Sequence, residues 1–136
     1  SSDACTLVWR GAAAQVVGTA VTQTTKTSSS AKSVCGYTAT ATTETVAIYV
    51  EQAPGGDAKK VVVAALLSTA PAASRLTRGI TGIGDAAGAR FGANDAAVVF
   101  ARGPLLFVLT ATSAGLNGTA LLPKLQPLAA QVATAS

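Results

Sequence analysis

Hydrophobic and polar residues alternate most regularly near the middle of the chain, and this alternation predicts a β-hairpin. Val46, Ile48 and Val50 share one face of a predicted strand, Glu44–Glu51, because successive side chains of a strand point to opposite sides of the sheet. The preceding segment, Ser33–Ala41, alternates in a similar way. The two segments are therefore expected to pair as a hairpin.

Five further strands are predicted from shorter or less regular patterns. A second hairpin is indicated by Asp95–Arg102 and Leu105–Thr112, which a Gly-Pro turn connects. The other three segments are weaker, because polar residues or glycines interrupt them. They are Thr19–Thr25, which precedes a predicted polar loop at Lys26–Lys32, and the short strands Gly79–Asp85 and Ala89–Gly92.

Three helices are predicted where apolar residues recur every three or four positions. The first spans Leu7–Val17 and is followed by Gly18, a residue typical of the left-handed end of a helix. The second spans Ala58–Ala70, with Asp57 as its N-cap. The third carries Leu121–Val132. Its two prolines predict a kink or a helix that begins near residue 127, because proline is tolerated only in the first helical turn.

The order of these elements, α-βββ-α-ββββ-α, predicts an α+β fold. Short connections between consecutive strands favour antiparallel pairing, so we expect one antiparallel sheet of about six or seven strands packed by three helices. The chain has 136 residues, of which 49% are apolar and 12% are charged. It is therefore long enough and apolar enough for a single domain over residues 1–136.

The distribution of charge argues against nucleic acid as a partner. Ten basic and six acidic residues give a net charge of +4, but the basic residues are scattered and only Lys59 and Lys60 are adjacent. Nucleic-acid binders concentrate Lys and Arg on one face beside aromatic residues. The longest apolar runs, Val61–Leu67 and Leu105–Leu109, are far shorter than a membrane span, so no transmembrane segment is predicted.

Cys5 and Cys35 are the two cysteines, and their role has competing interpretations. A metal site would need further ligands and a catalytic thiol would need a base, yet the chain contains no histidine. A disulfide needs only an oxidising compartment and proximity. It would stabilise the fold by about 3–4 kcal/mol for a loop of this length. We favour a disulfide, with two buried free thiols as the alternative.

The residue types of common catalytic sites are missing from the sequence. Without histidine, neither a Ser-His-Asp nor a Cys-His set can form, and the six acidic residues include no local pair. An enzyme that uses distant carboxylates stays open but is not favoured. We accordingly expect a non-enzymatic protein with no cofactor and no metal site.

Two short motifs have both a functional and a structural interpretation. Gly82–Ala87 (Gly-Ile-Gly-Asp-Ala-Ala) fits the dinucleotide-binding pattern, but the next acid, Asp95, comes too soon to contact a ribose. Another strand, and no helix, is predicted after the motif, so we interpret it as a glycine-rich bend. Asn117 begins an Asn-Gly-Thr sequence and is a candidate glycosylation residue, with a turn and helix cap as the favoured interpretation.

Four short motifs, taken together, resemble those of a known family. They are Ala4-Cys5-Thr6-Leu7-Val8, Val34-Cys35-Gly36-Tyr37-Thr38, Gly82-Ile83-Gly84-Asp85-Ala86-Ala87 and Val98-Val99-Phe100-Ala101-Arg102-Gly103. The chain resembles a family of small secreted actinobacterial lipoproteins of unknown function. The resemblance implies a cell-envelope location through a lipid-modified cysteine upstream, a Cys5–Cys35 bridge and a PsbP-like α+β sandwich. It implies no catalytic residues.

These observations lead to functional hypotheses of three classes. The first is an exported, non-enzymatic cell-envelope domain that binds a partner protein or an apolar or lipid ligand. The hairpin Ala97–Thr112 and the helix carrying Leu121–Val132 would form the walls of its pocket. The second is a structural or assembly subunit of a surface layer, filament or larger complex. The third is the enzyme with distant carboxylates. We expect a secreted or extracytoplasmic location, with any export signal already removed.

Overall fold

A computed structural model of the chain describes residues 4–8, 10–18, 20–28, 32–39, 44–67, 76, 78–115 and 117–135. It confirms the predicted α+β order, with the first helix divided into two pieces. The elements are α1 (Ala4–Leu7), α2 (Arg10–Val17), β1 (Val21–Ser28), β2 (Lys32–Ala39), β3 (Thr45–Gln52), α3 (Ala58–Leu67), β4 (Arg78–Ile80), β5 (Ala86–Phe91), β6 (Asp95–Arg102), β7 (Leu105–Thr112) and α4 (Gly118–Ala135).

The seven strands form one antiparallel sheet in the order β1-β2-β3-β7-β6-β5-β4. The first three strands make one meander and the last four make another, and the two meanders meet where β3 pairs with β7. This β3–β7 seam is regular from Thr45, opposite Thr112, to Gln52, opposite Leu105. The predicted number of strands and their antiparallel pairing are confirmed.

The helices cover the two faces of the sheet unequally. α1, α2 and α4 pack on one face, where the main core surrounds the stacked rings of Phe100 and Phe107, whose centroids are 4.7 Å apart. α3 packs on the opposite face, where Ala101 and Leu106 belong to a smaller core. Phe100 and Ala101 are neighbours on β6 and point to different cores, because side chains alternate along a strand.

The predicted disulfide joins Cys5, in α1, to Cys35, in β2, with the two Cα atoms 5.2 Å apart. Cys35 is fully buried. A hydrogen bond supports the same junction, since the hydroxyl of Tyr37 on β2 donates to the carbonyl oxygen of Val8 at 2.7 Å. The bridge and this buried hydrogen bond together hold the amino-terminal helices against the sheet.

One of the two alternatives predicted for the last helix is wrong. α4 contains both Pro123 and Pro127, so the helix does not begin near residue 127. The two prolines are exposed, while the predicted stripe of leucines and a valine is buried against the sheet. Each proline removes one backbone hydrogen bond from a helix. Burial of the stripe offsets this loss, because tertiary packing supplies most of the stability of a helix in a protein.

The first strand is displaced towards the C-terminus from the predicted Thr19–Thr25, since β1 begins at Val21. β1 continues to Ser28, so residues 26–28 of the predicted polar loop belong to the strand, and Lys26 lies opposite Cys35 in the register with β2. Lys26 has a weak β-propensity, and none of these three side chains is apolar. Pairing with β2 overrides this propensity, because the hairpin satisfies the backbone amides and carbonyls of both strands.

The two short strands in the second half are shifted from their predicted positions. The predictions Gly79–Asp85 and Ala89–Gly92 are replaced by β4 (Arg78–Ile80) and β5 (Ala86–Phe91). The glycines at 82 and 84 have φ of 85° and 60°, so residues 81–85 form a bend between the strands. Residues 40–43 of the first predicted hairpin and residues 68–70 of the second predicted helix lie outside the described residues.

Candidate functional site

The pocket predicted between the hairpin Ala97–Thr112 and the helix carrying Leu121–Val132 is filled by side chains of the main core. Phe100, Phe107 and Leu109 on the hairpin are fully buried, and the leucines of α4 that face them are at most 4% exposed. A ligand would enter only by separating α4 from β6 and β7, which would expose this apolar surface to water. Candidate binding surfaces therefore lie on the outside of the described fold.

The motif Gly82–Ala87 contains a bend that is hydrogen-bonded to the β6–β7 turn. Gly84 has a φ of 60°, and a Cβ at this position would collide with the carbonyl oxygen of Ala101. The Asp85 carboxylate accepts a hydrogen bond from the Gly103 amide at 2.7 Å, which attaches the bend to the β6–β7 turn. A strand follows the motif where a dinucleotide site requires a helix N-terminus. The predicted glycine-rich bend is confirmed.

Three of the described carboxylates make hydrogen bonds that serve the fold. Asp57 accepts one from the Lys60 amide at 3.1 Å and so caps α3. Glu51 accepts one from the Tyr49 hydroxyl at 2.8 Å, and Asp85 holds the β6–β7 turn. Within the part of the chain that the structure describes, no three His, Cys, Asp or Glu side chains come together as metal ligands would. These bonds favour structural roles for the three carboxylates.

Asn117, the candidate glycosylation residue, is the N-cap of α4. Its Oδ1 atom accepts hydrogen bonds from the Ala120 amide at 2.9 Å and from the Thr119 hydroxyl at 2.7 Å. The side chain thereby satisfies an amide that has no partner inside the helix. The cap favoured from the sequence is confirmed, and glycosylation of Asn117 stays a prediction.

Removal of this cap is expected to weaken the fold. Asn117→Ala should lower the free energy of unfolding by about 1 kcal/mol, whereas Asn117→Asp retains an acceptor oxygen and should leave it nearly unchanged. Urea unfolding of both variants measures the difference. Thr119→Ala is the control for glycosylation, because it removes the acceptor sequence and keeps Asn117. Equal stability of the two Asn117 variants would show that the cap contributes nothing.

The outer side of α3 carries an exposed apolar surface. Leu67 is 78% exposed and Val63 is 40% exposed, and these are the large apolar side chains most open to solvent among the described residues. Asp57, Lys59, Lys60 and Ala64 are also exposed and line the same shallow surface. Lys59, Lys60, Val63, Ala64 and Leu67 are called the α3 outer face below, and the Asp57 carboxylate borders it.

The inner side of α3 packs closely on the sheet. Ala58 and Val62 are fully buried in the smaller core. A Cβ at Gly88, on β5, would lie 2.9 Å from a methyl group of Leu66, so the missing side chain lets the helix approach the strand. This packing fixes which side of α3 is turned outwards.

The α3 outer face carries two positive charges and borders one negative charge. Lys59 and Lys60 occupy the first turn of the helix, which contains no acidic residue, and Asp57 precedes them as the N-cap that accepts a hydrogen bond from the Lys60 amide. The Asp57 carboxylate offsets part of the positive charge of this helix end. A net positive charge remains beside Val63 and Leu67, because two lysines face one carboxylate.

A second surface feature is the groove between α2 and α4. Its volume is about 220 Å³, below the roughly 300–1,000 Å³ that is typical of small-molecule sites. The residues that line it combine amides, aliphatic side chains and a lysine: Ala12, Gln15, Val16, Lys124, Pro127, Leu128 and Gln131. Because this groove is small, the α3 outer face is the better candidate for a binding surface.

Comparison with known proteins assigns no function to either surface. No family model, no curated protein and no solved structure matches the chain. The resemblance to secreted actinobacterial lipoproteins therefore stays a prediction. None of the helices in the described part of the chain has the length and hydrophobicity needed to span a bilayer. The functional argument accordingly depends on the α3 outer face.

The exposed leucine was not among the residues singled out from the sequence. The signal that would have found it is the uninterrupted apolar run Val61–Leu67 inside a predicted helix. Seven consecutive residues point in all directions around a helix, because each is rotated by about 100° from the last. A helix packed on one side of a sheet buries only part of such a run, so some of its apolar side chains must face outwards.

Proposed function

We propose that the chain is a non-enzymatic, extracytoplasmic domain that binds a cell-envelope partner through the α3 outer face. The observation that carries the proposal is the 78% exposure of Leu67, one helical turn from the partly exposed Val63. Full burial of a leucine stabilises a protein by about 1.5–3 kcal/mol. Exposed apolar side chains beside two cations are better explained by binding than by stability.

The disulfide supports the extracytoplasmic part of the proposal. Cys5 and Cys35 are bonded, and structural disulfides persist in oxidising compartments and are rare in reducing ones. The resemblance to secreted lipoproteins points the same way. Structural hydrogen bonds of Asp57, Asp85 and Glu51 support the non-enzymatic part, because they occupy carboxylates that acid–base chemistry would need.

The edges of the sheet give less support to an assembly subunit. β1 is interrupted by a bulge between Gln23 and Thr25 and carries the exposed Lys26. At the other edge, β4 has only three residues. Bulges, lysines and short edge strands are features that disfavour pairing between sheets of different molecules. A binding domain is therefore the better supported of the two hypotheses.

Site-specific photocrosslinking tests the proposed surface. A photoreactive residue is introduced at Leu67 and, as the matched control, at Gln131, which is exposed on α4 and lines the rival groove. After irradiation of cells of the natural host, position 67 is expected to yield a defined adduct with a lipid or one protein, identified by mass spectrometry. The absence of an adduct at position 67, or the same adduct in equal amount at positions 67 and 131, would contradict the proposal.

A further inference from the structure

We infer that the partner of the α3 outer face is the surface of an anionic phospholipid bilayer, an inference that rests on the proposed function. Its basis is the combination of exposed aliphatic side chains and cations on one side of a helix. Leu67 and Val63 supply the aliphatic part, and Lys59 and Lys60 supply the charge. These four residues are arranged around the helix axis so that the aliphatic side chains can face the acyl chains while the lysines face the lipid phosphates.

The lysines flank the apolar side chains when α3 is viewed along its axis. With about 100° of rotation per residue, Lys60 lies about 100° from Lys59, and Val63 and Leu67 lie in between, at about 40° and 80°. With a rise of about 1.5 Å per residue, Leu67 is about 12 Å further along the axis than Lys59. A helix lying flat on a bilayer would therefore present Val63 and Leu67 downwards, with a lysine on either side.

A lysine is well suited to the edge of such a surface. Its aliphatic stem covers apolar surface while its ammonium group stays at the level of water and lipid phosphates. Leu67 and Val63 would enter the boundary between headgroups and acyl chains, as the apolar side chains of interfacial helices do. Lys59 and Lys60 attract lipid phosphate, and together they outnumber the single neighbouring carboxylate of Asp57. The net positive charge beside exposed aliphatic side chains thus favours binding to anionic lipid.

An acidic protein fits the α3 outer face less well. Stable protein interfaces bury about 800 Å² on each partner and are anchored by aromatic or arginine side chains. α3 contains neither an aromatic residue nor an arginine. A bilayer surface requires no matching pocket, so exposed aliphatic side chains and lysines can contact its acyl chains and phosphates directly.

Vesicle co-sedimentation tests the inference with a charge-matched control. Vesicles of phosphatidylcholine with and without phosphatidylglycerol are mixed with the wild type, with Lys59→Gln/Lys60→Gln and with Lys26→Gln/Lys124→Gln. Each double variant removes two of the ten basic residues, and all four lysines are exposed. The wild type should bind the anionic vesicles and lose binding in high salt.

The two double variants should differ strongly. Each lysine at an anionic surface contributes about fivefold to the partition coefficient, so Lys59→Gln/Lys60→Gln should lower it about 25-fold. Lys26→Gln/Lys124→Gln should change it less than about twofold, since neither residue belongs to the α3 outer face. Leu67→Ser should lower it about tenfold. The thermal midpoint of Lys59→Gln/Lys60→Gln should be nearly unchanged, because exposed charges contribute little to stability, and this separates lost binding from lost folding.

Several results would overturn the inference. Failure of the wild type to bind anionic vesicles, or an equal loss in both double variants, would exclude the bilayer as the partner of α3. If position 67 then crosslinks to one protein in the native envelope, the proposed function stands and only the lipid inference fails. If position 67 gives no specific adduct, the proposed function fails as well.

Discussion

Replacing Cys5 and Cys35 together with alanine is expected to lower the free energy of unfolding by about 3–4 kcal/mol. The two cysteines are 30 residues apart, and the bridge removes the conformations of the unfolded chain in which this loop is open. For a chain of this length the loss corresponds to about 10–14 °C in the thermal midpoint. Urea and thermal unfolding of the oxidised wild type and the variant, at the same concentration, measure the effect.

The reduced wild type is the matched control for this variant. It lacks the bridge but keeps both sulfur atoms, so its difference from the double alanine variant isolates the packing of the two cysteine side chains. Hydrogen bonds outside the bridge remain in both, including that from the Ala4 amide to Ser33 Oγ at 2.9 Å. A loss below about 1 kcal/mol would show that these bonds hold α1 to the sheet without the disulfide.

Gly84→Ala is expected to destabilise the protein by about 3 kcal/mol, through two separate effects. Its φ of 60° lies in the left-handed region, which disfavours any residue with a Cβ. The added Cβ would also collide with the carbonyl oxygen of Ala101. That oxygen accepts a hydrogen bond from the Asp85 amide at 2.7 Å, so it cannot move without weakening the bend. Urea unfolding measures the loss.

Gly103→Ala provides the control that separates the two effects. Gly103 has a nearly identical φ of 57°, but a Cβ there would meet nothing within 4 Å. Its substitution should therefore cost only the backbone term, about 1 kcal/mol. If Gly84→Ala and Gly103→Ala lost the same free energy, the close approach of Gly84 to β6 would have no energetic importance.

The strands with a strong apolar pattern were predicted best: β6 and β7 have the predicted bounds, and β3 is displaced by one residue. On β3, Val46, Ile48 and Val50 are all buried, as their alternation indicated. On β1, by contrast, residues 26–28 are polar, and their strand conformation depends on pairing with β2. The alternation of apolar side chains on β3 can be recognised in the local sequence. The pairing of residues 26–28 with β2 cannot, because it joins backbone groups and does not depend on the side chains of the paired strand.

Two features of α3 and α4 could not be predicted from the sequence, because they depend on tertiary packing. Pro127 lies within α4 because burial of the leucine stripe outweighs the lost hydrogen bonds. On α3, Lys59 and Lys60 indicate the exposed side, but the run Val61–Leu67 is apolar throughout, so the pattern did not single out Leu67 as an exposed residue. Leu67 is exposed because the sheet packs against the opposite side of α3, and this packing exists only in the folded protein.

The β3–β7 seam has a consequence for the chain during its synthesis on the ribosome. β3 is complete at Gln52, and it can pair with β2 as soon as it emerges, but its second partner ends only at Thr112. Until then, a strand rich in valine and isoleucine has an open edge in the nascent chain. Such edges promote aggregation, so this interval is where a chaperone would be needed most.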